Sequence, residues 1–376
     1  MRFPHRFPTT SYSRSVGGAH TQVVVVGAGI AGLSAGYALR RRGVDCRVFE
    51  AAAPGSGQSA GRTRVFRHGH DDERLVSLAV RARREWERLE EELGVRLLGR
   101  EGVLVRGPHV AERAAAFEAA GVPARLIARE DQLAALPAMD APDDEALLDE
   151  LGGSIDVRAA IDGLAAALSE QLVAARVFAV RQLRDGVELH TSEGLWVAER
   201  AIVCPGAGLH ALIRELGLEI PLTIDLHTRA AFAVREPGAT LACLQDRSNV
   251  HGETVYAAPM PDGRHYAIGL GGEEEPPVDE ALARLRAYAE RAMPGLDPHP
   301  ASVRLCETST LPWGDDAFAV WRTDNVAVLA GANLFKFGPL LGKLLADGAD
   351  ELSPALELGR CGRRDSNPHG LSATST

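Results

Sequence analysis

The stretch VVVVGAGIAG, residues 23–32, decides the fold. Val23 to Val26 are β-branched and favour an extended strand. Gly27, Gly29 and Gly32 follow in the spacing G-x-G-x-x-G, and small residues from Leu33 to Arg42 continue as a helix that Gly43 ends. Val44 to Glu50 reads as the next strand, which completes a βαβ unit of about 30 residues. Each part of the turn has a physical task. Gly27 permits the tight turn, Gly29 lets the backbone approach a pyrophosphate, and Gly32 lets helix and strand pack closely. The N–H groups of Gly29, Ile30 and Ala31 open the helix and, with its dipole, hold a diphosphate. Glu50 lies at the end of the second strand, where an acid accepts hydrogen bonds from ribose hydroxyls and disfavours a 2′-phosphate. The bland alternative is a Gly-rich turn without a ligand.

Working outward, the composition narrows the classes of function. A chain of 376 residues can bury a large core, and 45% hydrophobic with 24% charged residues is ordinary for a globular protein. A net charge of −10 argues against nucleic acid or an anionic membrane as the main partner. Five cysteines form no CxxC pair, so neither a metal site nor a disulfide framework is indicated, and a cytoplasmic setting is the default. The apolar run Val23 to Leu39 is studded with glycine and is not a membrane span. Residues 1–20 read as a disordered extension or a misplaced start, and the Gly/Ser/Asn-rich residues 359–376 as a disordered tail. Of the 41 basic residues, only Lys336 and Lys343 are lysine.

Later segments extend the fold. Residues 71–93 read as an amphipathic helix, Val157 to Leu172 as a second, and Ala281 to Ala292 as a third. A strand over Arg176 to Val180 precedes a hairpin with arms Val187 to Thr191 and Leu195 to Val197. Ala201 to Gly208 is another apolar strand ending in glycines, among them Gly206; residues 220–272 alternate as several strands. Val326 to Ala330 is a strand leading into Gly331 and a final helix. The order implies an α/β protein: a discontinuous Rossmann-like dinucleotide domain (21–75, 151–215 and 300–350) with an inserted α+β substrate domain of mostly antiparallel sheet (76–150 and 216–299). The motif alone does not separate NAD from FAD. Its N-terminal position, paired with the distant strand ending Pro205-Gly206-Ala207-Gly208, is the usual layout of FAD enzymes.

Three further segments resemble the monomeric sarcosine oxidase and N-methyltryptophan oxidase group of D-amino-acid-oxidase-like flavoenzymes. GQSAGRTRVFRH (57–68) resembles the family's flavin-facing segment. AIVCPGAGLHALIRELGLEIPL (201–222) resembles the strand and helix closing its cofactor domain, and LAGANLFKFGPLLG (329–342) its last loop and helix. The resemblance spans about residues 20–350. It implies FAD as cofactor, Arg67 and Lys336 as a clamp on a substrate carboxylate, Arg64 as a flavin-facing arginine, and Cys306 as the point of covalent attachment through a thioether. It also implies a monomer. Lys336 stands between Phe335 and Phe337, an odd place for a solvated charge; the competing readings are a snorkelling surface lysine and, for Arg67, an ion pair with Asp71 or Asp72. Cys306 equally fits a buried core residue.

Two departures stand out. The family's Gly-rich stretch before Phe-Lys is shortened to Ala332-Asn333-Leu334. Where those oxidases place a lysine against the flavin, this chain reads Tyr266-Ala267-Ile268-Gly269-Leu270, and neither Arg264 nor His265 is at the matching place. The expected reaction is oxidation of a small carboxylate-bearing amine by hydride transfer to the flavin, with oxygen or another electron acceptor. The same clamp would serve a hydroxy acid, and a flavin-binding protein without turnover fits the two departures.

Overall fold

The run of β-branched residues forms Ala19–Val26, an interior strand of a sheet buried on both faces. The computed structural model describes residues 19–70, 72–271, 276–312 and 316–348. Ala19–Val26 pairs in parallel with Cys46–Glu50 on one side and Gly194–Val203 on the other. The sheet continues through Val326–Gly331 to Phe318–Arg322 at one end and Leu172–Ala174 at the other. Gly186–Thr191 and Val177–Leu183 extend it as an antiparallel meander. The two-residue period of the strand divides its valines between two cores. Val23 and Val25 meet the helices Ile30–Arg41, Glu73–Leu93, Val157–Ala167 and Gly338–Asp347. Val24 and Val26 meet Val180, Leu189, Leu209 and Leu212 on the opposite face.

A second eight-stranded sheet runs in the order Leu296–Thr310, Thr223–Val234, His265–Leu270, Val255–Pro259, Cys243–Asp246, Val103–Arg106, Ala146–Asp149, Ala124–Ile127. Its pairs are antiparallel except Cys243–Asp246 with Val103–Arg106. The helix Val278–Ala292 covers one face through Leu285 and Tyr288, against Phe232 and Tyr266. Thr63–Phe66 pairs with Gly153–Asp156 as a separate two-stranded piece, and this short strand carries Arg64 and leads into Arg67. Among the described residues no helix is long and apolar enough to cross a membrane.

Packing corrects several boundaries read from the sequence. The helix Glu73–Leu93, expected in the substrate domain, packs through Leu78, Ala82 and Trp86 into the core beneath the first sheet. Leu296–Thr310, most of it expected in the dinucleotide domain, is the edge strand of the second sheet. Residues 216–222 pack on the first sheet through Leu216, Ile220 and Leu222. The helix expected to reach Leu172 stops at Ala167, freeing Leu172–Ala174 to pair with Cys46–Glu50. The first strand begins at Ala19, two residues inside the expected extension; the rest of that extension and the 359–376 tail lie outside the described residues.

The crossing of helix Ile30–Arg41 over its strand is the tightest joint. A methyl group on Gly32 would lie 1.9 Å from the Gly27 carbonyl oxygen. Gly32→Ala should therefore cost about 1–3 kcal/mol, read as a lower urea midpoint at unchanged m-value. An unchanged midpoint would show that the helix lifts off the strand freely.

Candidate active site

A cavity of about 1000 Å³ lies between the two sheets, lined by Gly27, Gly29, Ile30, Ala31 and Glu50 at one end. Gly27 has φ +97°, a conformation that strongly favours glycine, and a Cβ there would sit 2.4 Å from the Cys204 carbonyl oxygen. The turn is fastened from three sides. Ala28 N–H donates to Glu50 Oε2 at 2.8 Å, Ala52 N–H to Glu50 Oε1 at 3.0 Å, and Ile30 N–H to Ser59 Oγ at 3.0 Å. Two backbone donors leave lone pairs free on the Glu50 carboxylate, so it can still accept from a ligand hydroxyl. Gly206 and Gly331 line the same cavity; Gly32 does not, because it faces the strand. The glycine cradle, the helix N-terminus and the strand-end acid together fit the diphosphate and ribose of an adenine dinucleotide.

At another part of the cavity wall, Arg67 and Lys336 converge on one carboxylate, Asp316. Arg67 Nη2 donates to Asp316 Oδ2 at 2.7 Å and Lys336 Nζ to Asp316 Oδ1 at 3.1 Å. His70 Nδ1 lies 2.9 Å from Oδ2, and Asn333 Nδ2 donates to Oδ1 at 2.7 Å. An ionised carboxylate only accepts, so Nδ1 carries the His70 proton. Arg67 also donates to the Gly69 carbonyl. Asn333 takes a left-handed backbone (φ +50°) to reach Asp316, a conformation asparagine tolerates. Lys336 is 5% exposed, lies over the Phe337 ring at 5.3 Å, and is anchored through its carbonyl, which accepts from Trp86 Nε1 at 2.7 Å. It is not a snorkelling lysine. Nor does Arg67 pair with Asp72, which caps its own helix and binds Arg74; Asp71 lies outside the described residues.

These groups set one another's charge. Burial, then Arg67, push the Lys336 ammonium down to about 7, against the opposing pull of Asp316. Burial alone would raise the Asp316 carboxyl, yet Lys336, Arg67 and His70 hold it well below the usual range. Burial and the two neighbouring cations depress His70 far below its ordinary value, so its ring is neutral.

Arg64 and Cys306 also line the cavity. Among the described residues Arg64 donates only to carbonyls, those of Thr63 (2.9 Å), Gln58 (3.3 Å) and Ala60 (2.6 Å). Burial, then the nearby Arg229, lower it to about 10, so it stays charged. Cys306 is a free thiol on Leu296–Thr310, opposite His227. The segment without the expected lysine turns Tyr266 and Ile268 into the core; their neighbours Ala267 and Gly269 pair with Ala231 and Arg229. Arg264 and His265 are held in a hairpin turn by Asp262. Asp316, His70 and Arg229 were not singled out from the sequence. The one available signal was an arginine set among buried apolar residues at 230–232.

A parallel, doubly covered sheet presenting a dinucleotide cradle, with an antiparallel sheet closing the cavity, defines a dinucleotide-dependent oxidoreductase architecture. The chain belongs to the DAO family, the FAD dependent oxidoreductases, which it matches over residues 22–348. FAD is accordingly its cofactor. It is 27% identical to monomeric sarcosine oxidase of Arthrobacter sp., covering 86% of this chain and 91% of that one. It is 25% identical to N-methyl-L-tryptophan oxidase of Citrobacter koseri, covering 89% and 96%. L-proline dehydrogenase from P. horikoshii shares the fold with a TM-score of 0.77 at 20% identity, over 88% and 93% of the chains.

The titration of Lys336 has a testable sign. Its cationic form is the low-pH form, and only that form attracts a carboxylate. Acetate binding, followed through the flavin absorbance, should weaken as pH rises through about 7, by about tenfold or more. Lys336→Met should flatten that dependence. Affinity independent of pH in the unaltered protein would contradict the assignment.

Proposed function

We propose that the protein oxidises the C–N bond of a small carboxylate-bearing amine, an amino acid or N-methyl amino acid. The observation that carries this reading is the convergence of buried Lys336 and Arg67 on a carboxylate at the cavity wall. A guanidinium fork and an ammonium fixed in a poorly solvated place suit a carboxylate. With Lys336 protonated, two cations face one internal anion, so the cluster retains a net positive charge for a second, incoming carboxylate. The names of the sarcosine and N-methyltryptophan oxidases among its relatives support the same substrate class.

Bound FAD supplies the acceptor for a hydride from the carbon next to nitrogen. The nitrogen lone pair forms the C=N bond as the C–H bond breaks, and water then hydrolyses the imine. Arg67 and Lys336 hold the carboxylate, which orients that C–H bond. Gly27, Gly29, Ile30, Ala31 and Glu50 would hold the diphosphate and ribose, with Gly32 setting the helix and the Ile30 N–H braced by Ser59. Gly206, Gly331 and Arg64 would line the space the cofactor takes. Cys306 is the proposed attachment point. Its test is acid precipitation: yellow colour should stay with the protein and be released from Cys306→Ser.

The test of function is anaerobic mixing of the FAD-loaded protein with amino acids, N-methyl amino acids and hydroxy acids. We expect a carboxylated amine to bleach the flavin, and Arg67→Ala or Lys336→Ala to lower kcat/KM by about 10–100-fold. Bleaching only by hydroxy acids would transfer the clamp to that substrate class. Bleaching by none would favour a flavin protein without turnover. Recovery on admitting air identifies oxygen as the acceptor; persistence of the reduced state identifies a dehydrogenase.

A further inference from the structure

Arg229 is the least explained cation of the cavity. It lies on Thr223–Val234, lines the cavity and is 8% exposed. Its Nη1 donates to the Thr63 carbonyl at 3.2 Å, and its guanidinium lies over the Tyr256 ring at 5.3 Å. Its Nε and Nη2 are buried without any partner among the described residues. Beside it Arg64 donates to the same Thr63 carbonyl and to two others. Buried Arg229 and half-buried Arg64 therefore meet carbonyl dipoles and a ring face, and among the described residues no carboxylate hydrogen-bonds to either.

That arrangement is costly as it stands. Buried charges in native proteins are paired, and removing the counter-ion from a buried pair destabilises strongly. The cavity that Arg229 and Arg64 both line is where a balancing anion can reach them. That anion is not the charge held by Arg67 and Lys336. Arg64 and Arg67 stand on the order of 10 Å apart along an extended backbone, and among the described residues no hydrogen bond or ion pair joins the two sets. Asp316 is already committed to the Arg67 set.

We infer that Arg229, with Arg64, forms a second anion-holding site in the cavity, distinct from the Arg67–Lys336 pair and suited to a planar, delocalised negative charge. Two sources share that chemistry. One is the charge that hydride transfer delivers to the flavin ring, which a fixed neighbouring cation favours. The other is a second carboxylate on the substrate. The second source rests on the amine-oxidation reading above; the first requires only that FAD be reduced.

The experiment uses FAD-loaded protein, unaltered and as Arg229→Met, Arg229→Gln and Arg229→Lys, with two readouts. One is the midpoint potential of the bound flavin; the other is the affinity for acetate and for iminodiacetate, followed by flavin absorbance. A potential that falls in the Met and Gln variants and recovers in the Lys variant, with both affinities unchanged, assigns the site to the ring. An iminodiacetate affinity that falls about 10–100-fold at unchanged potential and unchanged acetate affinity assigns it to a second carboxylate. Potential and both affinities within twofold of the unaltered protein in folded Met or Gln variants would overturn the inference and leave Arg229 as packing for Tyr256. Acetate binding lost in Arg67→Ala but kept in Arg229→Met separates failure of the clamp from failure of this site.

Discussion

The contact between Gly32 and the Gly27 carbonyl is the joint on which the rest depends. Only a residue without Cβ lets helix Ile30–Arg41 lie so close to its strand, and that height fixes what packs on the helix's other side. The last helix, Gly338–Asp347, seats two glycines on it. A Cβ on Gly338 would meet Ile30 Cγ1 at 2.3 Å, and one on Gly342 would meet Ser34 Cβ at 2.3 Å. The turn Leu334–Phe337 immediately precedes that helix and carries Lys336. One row of small residues thus sets both the glycine turn at one end of the cavity and the position of Lys336 beside Asp316.

The chemistry of the cavity is ordered by how positive charge is compensated. Around Asp316 it is compensated internally: Arg67, Lys336, His70 and Asn333 all spend a bond on one carboxylate. Members of such a network respond to one another, so the loss of one changes the state of the rest. Around Arg64 and Arg229 compensation is left to carbonyl dipoles. The contrast divides one continuous cavity into a region whose cations share an internal carboxylate and a region whose cations have none among the described residues.

What the sequence revealed followed from local physics. The βαβ unit was legible because its β-branched run, its glycines and its terminal acid are read within 28 residues of one another. Lys336 was conspicuous because the chain otherwise uses arginine. The strand Leu296–Thr310 was missed because Pro298 and Pro300 break its pattern, and because an edge strand with exposed Val303 and Leu305 shows no clean alternation. The amphipathic stripe of Glu73–Leu93 identified a helix but carried no information on which sheet it covers. Asp316 meets Arg67 across 249 positions and His70 across 246. Such convergence belongs to tertiary structure, and no local pattern encodes it.

The separation of Cys306 from the glycine cradle has a mechanical meaning. Cys306 belongs to the edge strand of the second sheet, whereas Gly27 to Gly32 hang from an interior strand of the first. A cofactor held at the glycine turn and reaching Cys306 would act as a further strut between two layers that also meet directly, where Ser309 donates to the Gly331 carbonyl. Rigidity across the cavity would then be a property of the loaded protein, with the cofactor counting among its structural members as well as its reagents.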